Sequence, residues 1–161
     1  MLNYVDICKE QYDKFNGMLT AYYRDGEDKD TEQEDLDIFI KRLYDLIQNK
    51  LIEGKFISLD EKIIGFVLWM IDRKESDFSE VPEYGTFLEI GLETTIRLQG
   101  IGMQVVAHIE NIMKEKGAEG FYITAYGPAS EFWEKCGYIN THKKASNDLF
   151  LYVKNRGNKV L

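Results

Sequence analysis

The sequence predicts a mixed α/β (α+β) fold, with two N-terminal helices, a central sheet and two further helices in a single domain over 1–161. Two patterns lead to this prediction. The first half passes from helical spacing of apolar residues to β-rich runs, and the second half alternates strand-like and helix-like segments. The composition agrees, because 44% of the 161 residues are hydrophobic. A chain of this length buries about two-thirds of its unfolded surface, which is enough for one core.

Apolar residues at helical spacing predict two helices near the N-terminus. The first set consists of Cys8, Tyr12, Phe15, Leu19 and Tyr22. The second set consists of Leu36, Phe39, Ile40, Leu43 and Ile47. Each set covers one face of a helix, as in a surface helix whose apolar side faces the core.

A dense run of acids connects these two helices. It contains Asp25, Glu27, Asp28, Asp30, Glu32, Glu34, Asp35 and Asp37, opposed only by Lys29. Thr31 and Glu34 fit a capping box, and acids are favoured at a helix N-terminus, so one interpretation is structural. The alternative is a negative rim that attracts a cationic substrate.

A hairpin and a further strand follow the second helix. The β-rich runs over 55–59 and 63–71 flank Asp60 and Glu61, which predicts the hairpin. The second run is apolar without a break, as in a central strand that is covered on both faces. A polar connection over 76–82 leads to GTFLEIGL at 85–92, which is also typical of a strand.

The remaining residues predict two helices and three strands. Met103, Val106, either Ile109 or Glu110, and Met113 lie at helical spacing in a helix that ends at Gly117. A strand over 121–126 and a short helix over 129–135 come next. The runs over 138–141 and 149–153 are typical of closing strands.

Charge and residue counts exclude several classes of function. The net charge of −8 disfavours phosphate backbones and anionic lipids, so we expect no nucleic acid and no membrane partner. No apolar run approaches the roughly 20 residues of a membrane span, and no signal peptide is recognisable, which predicts a cytoplasmic protein. With 2 cysteines and 2 histidines, we expect neither a metal site nor a disulfide framework. Motifs of serine hydrolases and P-loop proteins are absent.

The turn between the strand at 85–92 and the next helix predicts an anion site. It is formed by Arg97, Leu98, Gln99, Gly100, Ile101, Gly102 and Met103. Glycines allow a ligand to approach the backbone closely, and the first N–H groups of a helix are unpaired at the positive end of its dipole. Such a turn suits a pyrophosphate, to which Arg97 adds a positive charge. Val105 stands where a dinucleotide fingerprint needs a third glycine, which disfavours a Rossmann fold.

This turn resembles the signature Arg/Gln-x-x-Gly-x-Gly/Ala of the GNAT superfamily of N-acetyltransferases, which lies between the family's fourth strand and third helix. The segment from Ala129 through Phe132 and Trp133 to Tyr138 is similar to the family's second segment, Ala-x-x-Phe-Tyr-x-x-x-Gly-Phe. The two segments cover 86–139. The resemblance implies a mixed central sheet that is splayed between its fourth and fifth strands.

The resemblance also implies acetyl-CoA as co-substrate. Its pyrophosphate would lie on the turn at 97–103, with Ala129, Phe132 and Trp133 contributing to the cofactor site. Main-chain groups of Ile90, Gly91 and Leu92 would hold the pantetheine arm. An amine would attack the thioester directly, and an N–H near Leu92 would stabilise the oxyanion. Residues 1–83 would form the acceptor-side half and 84–161 the CoA-binding half.

The candidate acid and base depart from the family pattern. Trp133 stands where the family often has a tyrosine that protonates the thiolate, and an indole N–H is no useful acid. Tyr126 is the candidate substitute, or else it only packs beside the pantetheine. Glu89 is the only acid inside its strand and is the candidate base, with a structural ion pair as the alternative. Strand alternation turns Glu89 away from the face of Thr86 and Leu88, where the family's base positions lie.

Two functions therefore stand as hypotheses. The first is an N-acetyltransferase that acts on a small-molecule or peptide amine. Residues 1–83 hold 20 acids and 11 bases whereas 84–161 hold 8 and 9, and an acidic acceptor half suits a cationic acceptor. The second is a non-catalytic CoA-binding or regulatory module. Family members occur as monomers and dimers, so either a monomer or a homodimer is expected.

Overall fold

The computed structural model describes residues 1–26, 29–76 and 79–155. Within these ranges the order of elements is strand, two helices, three strands, then helix, strand, helix and two strands. The strands are β1 (Leu2–Asp6), β2 (Glu53–Leu59), β3 (Lys62–Ile71), β4 (Gly85–Leu92), β5 (Gly120–Ala125), β6 (Ile139–Lys144) and β7 (Phe150–Asn155). The helices are α1 (Tyr12–Arg24), α2 (Gln33–Gln48), α3 (Ile101–Glu115) and α4 (Gly127–Lys135). The predicted mixed α/β fold is confirmed.

Seven strands of the described chain form one mixed sheet in the order β1-β2-β3-β4-β5-β7-β6. β1 runs antiparallel to β2, and β5 and β7 are also antiparallel. β4 and β5 are parallel, and their register joins Gly85 to Phe121 and Thr86 to Tyr122 and ends there. The two strands splay beyond this short ladder, as the family resemblance predicts.

Contacts divide the chain into two compact units, and the strands β3 and β4 each contribute to both. The first unit comprises 1–68 and 89–97. Its core is formed by side chains from α1, α2, β2 and β3, among them Phe15, Leu19, Ile40, Leu43 and Phe56, all nearly inaccessible to solvent. Gly65 brings β3 so close to β4 that a Cβ atom there would overlap the carbonyl oxygen of Gly91. The hairpin turn lies where it was predicted, with positive φ at Asp60 and Glu61.

The second unit comprises 69–88 and 98–161, and charged groups are buried in its described part. Glu110 of α3 accepts hydrogen bonds from the Tyr138 hydroxyl at 2.9 Å and from Lys154 Nζ at 2.7 Å. Asp72, fully buried after β3, accepts a hydrogen bond from Tyr122 at 2.8 Å. Buried carboxylates of this kind are tolerated because hydrogen-bond donors surround them.

Three local predictions are wrong. α2 begins after an N-cap at Glu32 with no side-chain cap, so Thr31 and Glu34 form no capping box. The buried residues of α1 are Phe15, Leu19 and Tyr23, so its buried face continues to Tyr23 and not to the predicted Tyr22. Met103 is exposed, so the core face of α3 does not include it. Glu27 and Asp28 of the acidic run, like residues 77–78 of the β3–β4 connection, lie outside the described residues.

Two buried tyrosines of the second unit make stability depend on alkaline pH. Burial is the main cause that raises the pKa of Tyr122 and Tyr138, and the carboxylates of Asp72 and Glu110 raise both pKa values further. In the unfolded chain both phenols ionise near pH 10. The two protonated phenols therefore make their full contribution to the free energy of unfolding below about pH 10. Above that pH the free energy of unfolding falls by about 2.7 kcal/mol per pH unit for two such groups. Midpoints of urea unfolding between pH 8 and 11 measure this fall. Tyr138→Phe should make the fall with pH less steep, and an equal slope in both proteins would contradict the attribution to Tyr138.

Candidate active site

The last residues of β4 lie against α1 in the first unit. Glu89, half-buried, accepts a hydrogen bond on Oε1 from the Tyr23 hydroxyl at 2.8 Å. Strand alternation places Gly91 on the same face, where a Cβ atom would lie 2.6 Å from the Phe66 ring and 2.9 Å from the Tyr22 ring. The face that Glu89 occupies is thus the one covered by α1.

Arg97 follows β4 and connects the end of this strand to the α1–α2 connection. Its Nε donates to the carbonyl oxygen of Leu92 at 2.9 Å. Its NH1 forms an ion pair with Asp25 Oδ2 at 2.8 Å. Both groups are partly exposed, so the pair is screened and contributes about 1 kcal/mol or less to stability. Arg97 therefore already has an anionic partner that belongs to the acidic run.

Other polar groups of this unit also use part of the acidic run. Asp37 accepts hydrogen bonds from Asn16 Nδ2 at 3.1 Å and Gln33 Nε2 at 2.9 Å. Arg24, the last residue of α1, donates to the carbonyl oxygens of Lys29 at 3.0 Å and Thr31. These contacts tie α1 to α2 and to the described part of the connection. A share of the acid in this region is thus structural.

In the second unit, α3 begins after a left-handed glycine in the predicted turn. Gly100 is the N-cap residue with φ 78°, a left-handed conformation that glycine adopts without strain. A Cβ atom at Gly100 would meet no heavy atom within 4 Å, and the first turn of α3 contains no acid. The first amides of a helix have no partner within the helix, and in α3 these are the N–H groups of Ile101, Gly102 and Met103. Leu98 also has a positive φ, of 65°, and its side chain is fully exposed.

α4 presents an aromatic cluster in the same unit. Trp133 is buried, with ring centroids 5.5 Å from Phe87, 5.0 Å from Phe132 and 5.3 Å from Tyr138. Ring packing of this kind accounts for a tryptophan at this position without any proton transfer. Trp133 thus has a packing role that a smaller phenol ring would fill less completely.

Tyr126, the candidate acid, lies at the N-terminus of α4. Tyr126, half-buried, is the N-cap residue of α4, and its carbonyl oxygen accepts the N–H of Ala129 at 3.0 Å. Pro128 lies in the first turn, where the missing N–H costs nothing.

Cys136 is unsuited to nucleophilic catalysis. Burial, with the nearby Glu110 carboxylate as a smaller cause, raises its thiol pKa to about 11. At neutral pH the thiolate fraction is on the order of one in ten thousand, and the thiolate is the nucleophile. The chain therefore offers no activated thiol here for a covalent acyl intermediate.

Sequence reasoning missed two partners of the candidate residues. Tyr23 is absent from the predicted apolar face of α1, although its four-residue steps from Phe15 and Leu19 were a usable signal. Asp25 was recognised as part of the acidic run, but nothing in the sequence connects it with Arg97, 72 positions away. The structure thus joins Glu89 to Tyr23 and Arg97 to Asp25.

Neither a membrane-spanning helix nor a metal-binding cluster occurs among the described residues. No helix in these ranges is both long and apolar enough to cross a membrane. No group of three or more histidine, cysteine, aspartate or glutamate side chains in the described part of the chain is arranged to hold a metal ion.

Comparisons with known proteins agree with this architecture. The family model "Acetyltransferase (GNAT) family" matches residues 11–138. The PaiA N-acetyltransferase of Thermoplasma acidophilum, solved with coenzyme A, is 15% identical with a TM-score of 0.72, and the match covers 97% of this chain and 99% of that one. An acetyltransferase of Thermus thermophilus is 16% identical with a TM-score of 0.72, covering 97% of both chains.

A third solved structure is an acetyltransferase of the GNAT family from Staphylococcus aureus. It is 11% identical with a TM-score of 0.72, and the match covers 96% of this chain and 99% of that one. At these identities the structures show the shared fold. No curated protein sequence matches the chain.

Proposed function

The chain belongs to the acetyltransferase (GNAT) family, and from that premise we propose that it transfers an acetyl group from acetyl-CoA to a primary amine of a small molecule or peptide. The observation that supports this most is the start of α3, where a left-handed glycine with open space around its Cα precedes the first amides of the helix. Such amides bind the phosphates of an anionic cofactor. The coenzyme A bound to the Thermoplasma protein supports the same choice of cofactor.

The residues present fit this cofactor in each unit separately. In the second unit, the N–H groups of Ile101, Gly102 and Met103 are proposed to hold the pyrophosphate, with Ala129, Phe132 and Trp133 near the cofactor. In the first unit, main-chain groups of 90–92 are proposed to hold the pantetheine arm, and Arg97 supplies positive charge once its pairing with Asp25 is exchanged. When bound, acetyl-CoA supplies the acetyl thioester.

Glu89 and Tyr126 are the proposed base and acid. An alkylamine has a pKa near 10 and must lose a proton before its nitrogen attacks, and the ionised Glu89 carboxylate is proposed to accept that proton. Tyr126 is proposed to return a proton to the departing sulfur. The buried Trp133 has only an indole N–H and takes no part in proton transfer.

Gly100→Glu should weaken the binding of coenzyme A by about 100-fold, because it places a negative charge at the amides proposed for the pyrophosphate. Gly117→Glu is the matched control, since Gly117 lies just beyond the other end of α3, also has a positive φ and is equally open. Calorimetric titration and the cofactor-dependent rise in Tm measure the effect. Equal losses in both variants would contradict the assignment.

Transfer itself is tested with acetyl-CoA and a panel of polyamines, aminoglycosides and peptides, with release of free thiol as the readout. The proposal expects acceptor-dependent release of thiol and an acetylated amine of matching mass. Tight binding of coenzyme A without turnover on any amine would favour the non-catalytic module, for which the packing of Trp133 is the supporting observation.

A further inference from the structure

Two buried tyrosines of the first unit differ in the partner of their hydroxyl groups. Tyr23 and Tyr44 are each 5% exposed. The Tyr44 hydroxyl donates to main-chain carbonyl oxygens, that of Cys8 at 3.1 Å and that of Lys9. The Tyr23 hydroxyl donates to the Glu89 carboxylate at 2.8 Å. The helical layer can thus satisfy a buried phenol with main chain, so a carboxylate partner for Tyr23 is not required by burial alone.

The position of the Tyr23 hydroxyl is fixed by packing. Its ring lies edge-on to Tyr22, with centroids 5.2 Å apart, and to Phe39 at 5.8 Å. The last turn of α1 is closed by hydrogen bonds from Asp25 N to Ala21 O and from Gly26 N to Tyr23 O. A donor held in this way selects one orientation of its acceptor, because hydrogen bonds weaken steeply off axis.

We propose that Tyr23 is a positioning residue for Glu89, orienting the carboxylate and keeping it ionised so that it can take the proton of the acceptor amine. This inference rests on the proposed function of Glu89 as the base. A hydrogen bond donated to a carboxylate favours its charged form, and it is stronger than one between neutral groups. The hydroxyl of Tyr23 itself keeps its proton throughout and touches no reacting atom.

Two ion pairs also lie near this end of β4. Lys62 of β3 is paired with Glu93 at 3.1 Å, and Arg97 is paired with Asp25 at 2.8 Å. Tyr22 from α1 lies against Gly91, next to the Phe66 ring. The 2.8 Å hydrogen bond from Tyr23 therefore joins a fixed donor directly to the Glu89 carboxylate.

Tyr23→Phe tests the proposal, with Tyr44→Phe as the matched control that removes an equally buried hydroxyl from a main-chain partner. Titration of the Glu89 carboxyl carbon by NMR, assigned with Glu89→Gln, should show a midpoint about one pH unit higher in Tyr23→Phe. The acidic limb of kcat/KM should move to higher pH by the same amount, because more Glu89 is protonated at a given pH. Tyr44→Phe should change neither, although both variants lower Tm.

The possible failures are distinguishable. If Glu89→Gln keeps full activity, the assignment of the base is overturned, and the positioning role with it. If Glu89→Gln is inactive but Tyr23→Phe leaves the Glu89 titration and the acidic limb unchanged, only the positioning role is overturned. A fall in Tm alone in Tyr23→Phe, no larger than in Tyr44→Phe, would likewise show that the bond is merely structural.

Discussion

Gly65→Ala should lower the free energy of unfolding by about 4 kcal/mol or more, in the tail of the range for single substitutions. The new Cβ atom would overlap the carbonyl oxygen of Gly91 and lie 2.9 Å from Leu92 Cδ2. Overpacking usually costs about 1–3 kcal/mol when side chains can adjust, but a main-chain oxygen cannot rotate away. The strands β3 and β4 would have to separate at the end of β4 that carries Glu89.

Gly17→Ala is the control for this substitution. Gly17 lies inside α1, and a Cβ atom there would meet nothing within 4 Å. Alanine is better than glycine in a helix interior by about 1 kcal/mol, so this variant should be stabilised. Urea denaturation followed by circular dichroism compares both variants at constant m-value. A wild-type midpoint for Gly65→Ala would mean that the two strands do not approach this closely.

Asp72→Ala should lower the free energy of unfolding by about 3 kcal/mol or more. Asp72 Oδ2 accepts the N–H groups of Glu80 at 2.7 Å and Val81 at 2.9 Å and the hydroxyl of Tyr122 at 2.8 Å. Alanine would leave these three donors without their acceptor, and a buried donor without a partner costs about 1–3 kcal/mol. The connection before β4 would lose its attachment to β5.

Asp72→Asn separates the role of the acceptor from that of the charge. Asparagine keeps one oxygen for the three donors, and its NH2 group can take the place of Oδ1, which has no hydrogen-bond partner in the described part of the chain. We expect it to lose less than half as much stability as Asp72→Ala, as measured by thermal and urea unfolding. Equal losses would show that the buried charge, rather than the accepting oxygen, is what this site requires.

The sequence predicted most of the fold because the central elements carry strong periodic signals. β4 has the predicted bounds, Gly85–Leu92, and Gly117 and Gly137 end their helices with positive φ. β1 was missed because it has only five residues, and the alternation of Leu2, Asn3 and Tyr4 is interrupted at Val5 before it becomes recognisable. The start of α2 was misplaced because several acids and a threonine in one run compete for the N-cap position.

The candidate site was predictable only as separate segments. Glycine spacing located the turn before α3, and its left-handed Gly100 follows from local conformational preference. The pairs Tyr23–Glu89 and Asp25–Arg97 join positions 66 and 72 residues apart, and such pairs depend on how helices pack on strands. A single sequence contains no signal for that packing.

During synthesis, β1 must wait for the strand with which it pairs. β1 is synthesised before its partner β2, and the register joins Leu2 to Leu59. At about 5–20 residues per second, β1 waits roughly 3–11 s before the last residue of its partner exists. During that time its main-chain groups have only water or other chains to bind. The short length of β1 and the charge of Asp6 make the nascent strand a weaker template for aggregation.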